Sequence, residues 1–160
     1  MPSALQEMLK QASWTQGNSL TVETPQNLAS IVHMGWGTEL KFIPGRSSWC
    51  HIPIPTPVIM NDVRAKVQRM FLFFKSKSRD GEIRNIHIYD GPNRIDIRDN
   101  IHLSGDHGGG IDGVNTITLP TPHEVLWGMS ISFFFQAAIG FDSSIPPPML
   151  TITTAGADFI

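Results

Sequence analysis

Six histidines, His33, His51, His87, His102, His107 and His123, are spread along the 160 residues, and three short stretches set some of them beside other reactive side chains. In His87-Ile88-Tyr89-Asp90 the imidazole and the phenol are two residues apart, so on an extended strand they project to the same side. A histidine placed there can move a proton near neutral pH, and a tyrosine hydroxyl can hold a carbonyl or phenolic oxygen. The plainer alternative is a pair hydrogen-bonded on a sheet surface. Asp90 opens the turn sequence Asp90-Gly91-Pro92-Asn93 and is expected to shape that turn. In Trp49-Cys50-His51 the indole and the imidazole again share a side, suited to stacking on a ligand and hydrogen-bonding it at a pocket mouth. A tryptophan that fills the core is the alternative there.

The third stretch, IHLSGDHGGGIDG over 101–113, holds His102, Asp106, His107 and Asp112 in a glycine-rich loop. Imidazoles and carboxylates are ligands for zinc or non-haem iron. The spacing, however, contains no HxH, HxxxH or two-histidine-one-carboxylate pattern, so a loop of turn-forming polar residues is expected, with neither metal nor cofactor. Asp106 and His107 are carried forward as acid–base candidates, and His102 as a ligand contact. Cys50 and His51 are adjacent and point to opposite faces of an extended chain, so they do not form a dyad. The lone cysteine is expected to be a small buried hydrophobe. There is no GxSxG elbow, phosphate-binding loop or dinucleotide fingerprint.

These side chains need a scaffold, and the composition bounds it. At 160 residues the chain has the length of one domain with a core of its own. Hydrophobic residues make up 41% and charged residues 16%, which excludes a disordered chain. Net charge is −2 and the 12 basic residues are scattered, so nucleic acid is not expected as a partner. The run Lys75-Ser-Lys77-Ser-Arg79 reads as a solvated loop or strand end. One cysteine allows no internal disulfide, no secretory pattern opens the chain, and no apolar run is long enough for a bilayer. The expectation is a cytoplasmic protein without a membrane partner.

Residues 3–12, SALQEMLKQA, show a capping box from Ser3 to Gln6 and an apolar stripe at helical spacing. They predict a short helix in an N-terminal extension spanning 1–18. Beyond it the pattern alternates. Strands are expected over 19–24, 28–34, 38–43, 56–60, 64–76, 82–89, 94–99, 115–119, 125–139 and 149–154, separated by turn residues. The clearest hairpin is 83–98 around Asp90-Gly91-Pro92-Asn93. Many short strands and one helix predict an all-β, antiparallel, jelly-roll-like sandwich over 19–160. The stretch WCHIPIPTPVIM, 49–60, alternates prolines at 53, 55 and 57. Proline donates no backbone hydrogen bond and pushes its predecessor toward extended geometry, so this segment should border a sheet or cross between sheets. Residues 70–74 and 127–141 are apolar on both faces, which points to a ligand cavity or an oligomer interface.

Five motifs in order, SWCHIPIPTPVI (48–59), IHIYDG (86–91), LSGDHG (103–108), WGMSIS (127–132) and AGADF (155–159), resemble a family of small uncharacterised proteins defined by a domain of unknown function. Its pattern is W-x-H followed by IPTPVI, then VHVYDG, GDH, WGISI and AGxDF, and the likeness covers roughly residues 20–160. The resemblance implies a β-rich domain and no particular activity. The polar positions that match are Trp49, His51, His87, Asp90, Asp106, His107 and Asp158. Gly108-Gly109-Gly110 depart from the bulkier residue that follows GDH in the family. The resemblance also implies that the proline run is part of the common frame.

The functional expectation is a small-molecule-binding sandwich with an apolar pocket, acting without cofactor as a cyclase or isomerase on a hydrophobic metabolite. Its acid–base groups would be His51, His87, Asp106 and His107. Trp49, Tyr89, His102, Trp127 and Phe133 would contact the ligand. The alternative is a non-catalytic module whose apolar faces make a homodimer or other homo-oligomer.

Overall fold

Alternation of apolar and polar residues sorts the side chains of this chain onto the two faces of its strands. The computed structural model describes residues 11–140 and 145–160. Its strands, in chain order, are β1 (Gln11–Gln16), β2 (Thr21–Val22), β3 (Leu28–Met34), β4 (Gly37–Phe42), β5 (Ser47–Pro53), β6 (Ile59–Met60) and β7 (Val63–Arg64), then β8 (Lys66–Ser76), β9 (Gly81–Asp90), β10 (Asn93–Arg98), β11 (Gly105–His107), β12 (Thr116–Glu124), β13 (Met129–Ala137) and β14 (Met149–Phe159). The first sheet runs β11-β8-β14-β4-β3, with β1 also on β14 and β12 also on β8. The second runs β10-β9-β13-β5-β2, and β6 and β7 form a small ribbon of their own. Every pairing is antiparallel.

The predicted helix over 3–12 lies outside the described residues except for Gln11 and Ala12, and those two are strand. β1 pairs with β14 from Gln11↔Phe159 to Gln16↔Thr154, which carries the first sheet back ahead of residue 19. The helical turns among the described residues are 3-10 turns at Gly17–Ser19 and Pro25–Asn27. None of the described helices is long and apolar enough to cross a membrane.

The two large sheets face each other as a sandwich over one core. Leu40, Phe42, Leu72 and Phe74 enter it from the first sheet, and Ile52, Ile88, Phe133 and Phe135 from the second. Phe42 and Phe135 meet across the gap with ring centroids 4.9 Å apart. Cys50 is buried in the same core, and burial first, then the nearby Glu23 charge, push its thiol up to about 12. Such a thiol carries essentially no thiolate at neutral pH and is not a nucleophile.

The apolar outer residues of β8 are covered by the chain itself. Trp14 of β1 stacks on Phe71 at 5.0 Å and meets Phe73 edge-on at 5.3 Å. This is possible because residue 156, between them on β14, is glycine: a Cβ there would lie 2.4 Å from Trp14 Cδ2. The aromatic excess of 70–74 is thus largely spent inside the chain.

The proline run does what its chemistry requires. β5 ends at Pro53, opposite Ser130 of β13. Ile54 N–H, between two prolines, continues the pairing by donating to Met129 O at 3.0 Å. Where the prolines offer no donor and no pairing partner, Thr56 substitutes a side chain: its Oγ1 accepts from Met129 N–H at 2.9 Å and donates to Ile54 O at 2.7 Å. The chain then crosses from the second sheet to β8 in the first.

One buried carboxylate sets how β13 enters the second sheet. Asp90, fully buried at the end of β9, accepts four hydrogen bonds. His123 Nε2 and Leu126 N–H donate to Oδ2 at 2.7 Å each, and Trp127 N–H and Gly128 N–H donate to Oδ1 at 2.8 and 3.0 Å. Burial pushes the acid's pKa up. The hydrogen bonds from His123, Gly128, Leu126 and Trp127 outweigh it and hold the group at about 2. Gly91, next in the hairpin turn, has φ +56°, a conformation that favours glycine.

Two outcomes follow. Gly156→Ala should cost about 1–3 kcal/mol in urea unfolding, and part of that cost should vanish in a Trp14→Ala background, where the ring is gone and the contact with Ser13 O at 2.9 Å remains. Asp90 has a folded pKa of about 2 against an ordinary 3.8, so its stabilisation is fully present above about pH 4 and drains away as pH falls toward 2. Asp90→Asn should cost about 2–3 kcal/mol near neutral pH. Its acid unfolding curve should also be flatter between pH 4 and 2 than that of the wild type.

Candidate functional site

Antiparallel register brings three polar side chains into a row on the outer face of the second sheet. Ser132 of β13 stands opposite His51 of β5 on one side and opposite His87 of β9 on the other. With strands about 4.8 Å apart, the row spans about 10 Å. One step along, Phe134 lies between Trp49 and Asn85. One step the other way, Tyr89 pairs with Arg94 of β10. The parity of the strands decides all of this: Cys50, Ile52, Ile88 and Phe133 alternate with these residues and fill the core.

His51 is held at both nitrogens. Nε2 lies 2.9 Å from Glu23 Oε2 and Nδ1 lies 2.7 Å from Ser132 Oγ. A carboxylate only accepts, so Nε2 carries a proton. In the neutral ring Nδ1 then accepts from the Ser132 hydroxyl. Glu23 follows β2, and its N–H donates to Trp49 O at 2.9 Å, which anchors it beside β5. The result is a chain Glu23–His51–Ser132 that leaves neither ring nitrogen open.

His87 is held at one nitrogen. Its Nε2 lies 2.8 Å from Asp99 Oδ1, and Asn85 Nδ2 donates to the same oxygen at 2.7 Å. The hydrogen bond from His87, and then that from Asn85, keep the Asp99 carboxyl below the ordinary carboxylate range. In the neutral ring Nε2 carries the proton and Nδ1 keeps its lone pair, with no hydrogen-bond partner among the described residues. The Trp49 ring tilts over the imidazole, 4.8 Å between centroids, and reaches Phe134 at 5.4 Å. An ionised carboxylate behind a histidine with one open nitrogen is the arrangement of a general base.

Around this row lies a cleft of about 310 Å³ lined by Glu23, Trp49, His51, His87, Tyr89, Arg94 and Ser132. Among the described residues the Arg94 guanidinium makes no ion pair, and neither it nor the Tyr89 hydroxyl is hydrogen-bonded, so both offer free polar groups to the cleft. A second hollow, about 870 Å³ and mainly apolar, lies between Phe42–Pro44, Ala138–Gly140 and Ile145–Pro148.

Of the side chains singled out by sequence, Trp49, His51, His87 and Tyr89 therefore meet in one place. The others do not. His102 Nδ1 pairs with Glu82 Oε1 at 2.9 Å, toward the other end of β9, roughly 16 Å along the strand from His87. Asp106 is exposed, 3.5 Å from Lys75 Nζ. His107 is fixed between Asp112 Oδ2 at 2.7 Å and Ser104 O at 3.0 Å, with its ring against Phe74. Asp112 also accepts from Val114 N–H and Asn115 N–H, and Asn115 Nδ2 donates to His107 O and Gly110 O. The loop's polar groups are spent on holding its own shape. Among the described residues no three His, Cys, Asp or Glu side chains are grouped to hold a metal ion. Phe133 is fully buried between the sheets, on the opposite face from the cleft. Trp127 gives its N–H to Asp90, while its ring is 67% exposed against Gly91.

Glu23, Arg94, Asp99 and Ser132 were not singled out by sequence. Ser132 had a legible signal, since Ser130 and Ser132 alternate with Ile131 and Phe133 in an otherwise apolar strand. Glu23 and Asp99 reach their histidines across 28 and 12 residues of sequence, and no local pattern announces that.

Comparison with protein families matches residues 8–139 to a family of unknown function, DUF6623. The chain belongs to DUF6623. Most of the β-sandwich, and every residue of the cleft, lies inside the matched span. A search of curated proteins returns no match. Among solved structures, an exo-β-1,3-galactanase from Phanerochaete chrysosporium, crystallised with galactose, is similar at 13% identity and a TM-score of 0.40. The match covers 92% of this DUF6623 chain and 29% of that enzyme's.

The two histidines should respond differently to mutation in a long-range nitrogen–proton NMR spectrum. Both should appear as Nε2-protonated rings. Asp99→Ala should turn His87 alone into a mixture of tautomers, and Ser132→Ala should perturb His51 Nδ1 while leaving the protonated nitrogen of His51 unchanged.

Proposed function

We propose that this protein binds a small molecule in the outer cleft of its second sheet and moves a proton on it without a cofactor. His87 is the acid–base group, aligned by Asp99. His51, tied to Glu23 and Ser132, is a positioning residue that holds the Ser132 hydroxyl toward the cleft. Trp49 and Tyr89 supply ring surfaces, and Arg94 a cation for a polar substituent. The observation that carries this reading is the convergence of His51, Ser132 and His87 in one row, each imidazole backed by a carboxylate. A base with an open nitrogen beside a hydrogen-bonding hydroxyl suits isomerisation or cyclisation, reactions that need a proton moved and a substrate held in shape. The space between the sheets is occupied by core side chains, so the reading places the ligand on the sheet's outer face.

A second reading rests on a different place. Ile59, Val63 and Trp127 are each about 60% exposed or more, and Arg64 Nη1 ties the β6–β7 ribbon to Val125 O and Leu126 O beside them. An apolar patch of this kind at the end of a sandwich suits contact between two copies of the chain.

Native mass spectrometry of protein purified without added ligand separates the two. The cleft reading expects a small mass that is lost on denaturation, or a metabolite from the producing cell that raises the melting temperature of wild type but not of Trp49→Ala. The interface reading expects a dimer at micromolar concentration that Trp127→Ser converts to monomer. A monomer with no retained mass, and no metabolite that shifts its melting, would sink both.

A further inference from the structure

We infer that the ligand of this cleft is a saccharide, a ring whose hydroxyls each donate and accept; the inference rests on the binding reading above and narrows it. The polar groups around the cleft are of opposed kinds held close together. Glu23 only accepts and Arg94 only donates, the Ser132 hydroxyl, its proton given to His51, offers lone pairs, and the Tyr89 hydroxyl does both. A carboxylate ligand on Arg94 would be set against Glu23 and the nearby Asp99, and an ammonium ligand would be set against Arg94. An apolar ligand would strip water from Arg94, Glu23 and the Tyr89 hydroxyl and return no hydrogen bond, a cost that a small cleft cannot recover. Neighbouring ring hydroxyls meet both demands at once, each donating to an acceptor and accepting from a donor.

The apolar half of the cleft fits the same ligand. Trp49 is braced by Phe134 and His87 at 5.4 and 4.8 Å, so its ring is a fixed platform. A pyranose presents C–H groups on one face and hydroxyls at its edge, which matches an indole beneath and polar groups around it. The size agrees: about 310 Å³ is at the small end of ligand sites and suits one or two sugar rings. The cleft also lies open on a sheet face, so a longer chain can extend past it.

The test is a two-dimensional NMR titration of the full chain with methyl glycosides of the common hexoses and of N-acetylglucosamine. Benzoate, benzylamine and indole serve as anionic, cationic and apolar probes of similar size. At least one glycoside should saturably shift the Trp49 side-chain N–H and the His87 ring signals, and should bind at least ten-fold more tightly than the three other probes. Trp49→Ala should weaken that glycoside at least ten-fold. Arg94→Ala, at an exposed and unpaired position where folding is not at stake, should weaken it about five-fold. If benzoate, benzylamine or indole fills the cleft and no glycoside does, the saccharide class is overturned while the ligand site stands. If no probe and no metabolite extract moves these signals, the ligand site falls as well.

Discussion

A single buried carboxylate, Asp90, sets the frame on which the cleft is built. Its two oxygens take up four donors from a stretch that would otherwise leave the second sheet with no fixed entry to β13. Pinning Trp127 and Gly128 to the end of β9 puts Met129 opposite Asp90, and the register then runs on residue by residue to Ser132 opposite His87. Slip that register by one residue and Phe133 would face the cleft while Ser132 entered the core. The charge that the sequence reads as a turn former is thus also a register pin. Burying it costs free energy, and the ring of donors offsets that cost.

The two sheets dispose of their outer faces differently. The first sheet covers its apolar outer residues with Trp14, admitted by a glycine where a side chain would collide. The second leaves its outer face open and polar, with Trp49 the large ring across it. A sandwich needs one buried face per sheet, and here the first sheet's other face is partly covered by the chain itself while the second's holds the cleft.

Much of this was legible in the order of residues, and the limits have physical causes. The all-β architecture, the Asp90–Asn93 hairpin and the crossing proline run follow from alternation and from the missing N–H of proline. Trp49 with His51, and His87 with Tyr89, are pairs two apart on extended chain, so their sharing a face was local information. Their meeting was not, because it depends on β13 lying between β5 and β9. The Ser132 hydrogen bond to His51 spans 81 residues of sequence. The loop around His107 looked reactive because its residue types are, yet each polar group there has a neighbour in the loop to satisfy. Gln11 and Ala12 carried a helical pattern, but a free edge of β14 claimed them as strand, where pairing outweighs weak helix propensity.

The prolines on the far end of β5 have a meaning beyond geometry. A sheet edge is a template on which another chain can lay a strand, and an open, ring-bearing face beside it makes such a meeting costly to the cell. β2 pairs only with His51 and Cys50 of β5, and beyond them Pro53 and Pro55 are exposed. There Pro53, Pro55 and Pro57 have no N–H to offer a visitor, while Thr56 satisfies the inner neighbour through its side chain. The segment that frames the cleft thus leaves a visiting strand no N–H at its proline positions, which disfavours edge-to-edge pairing beside an exposed sheet face.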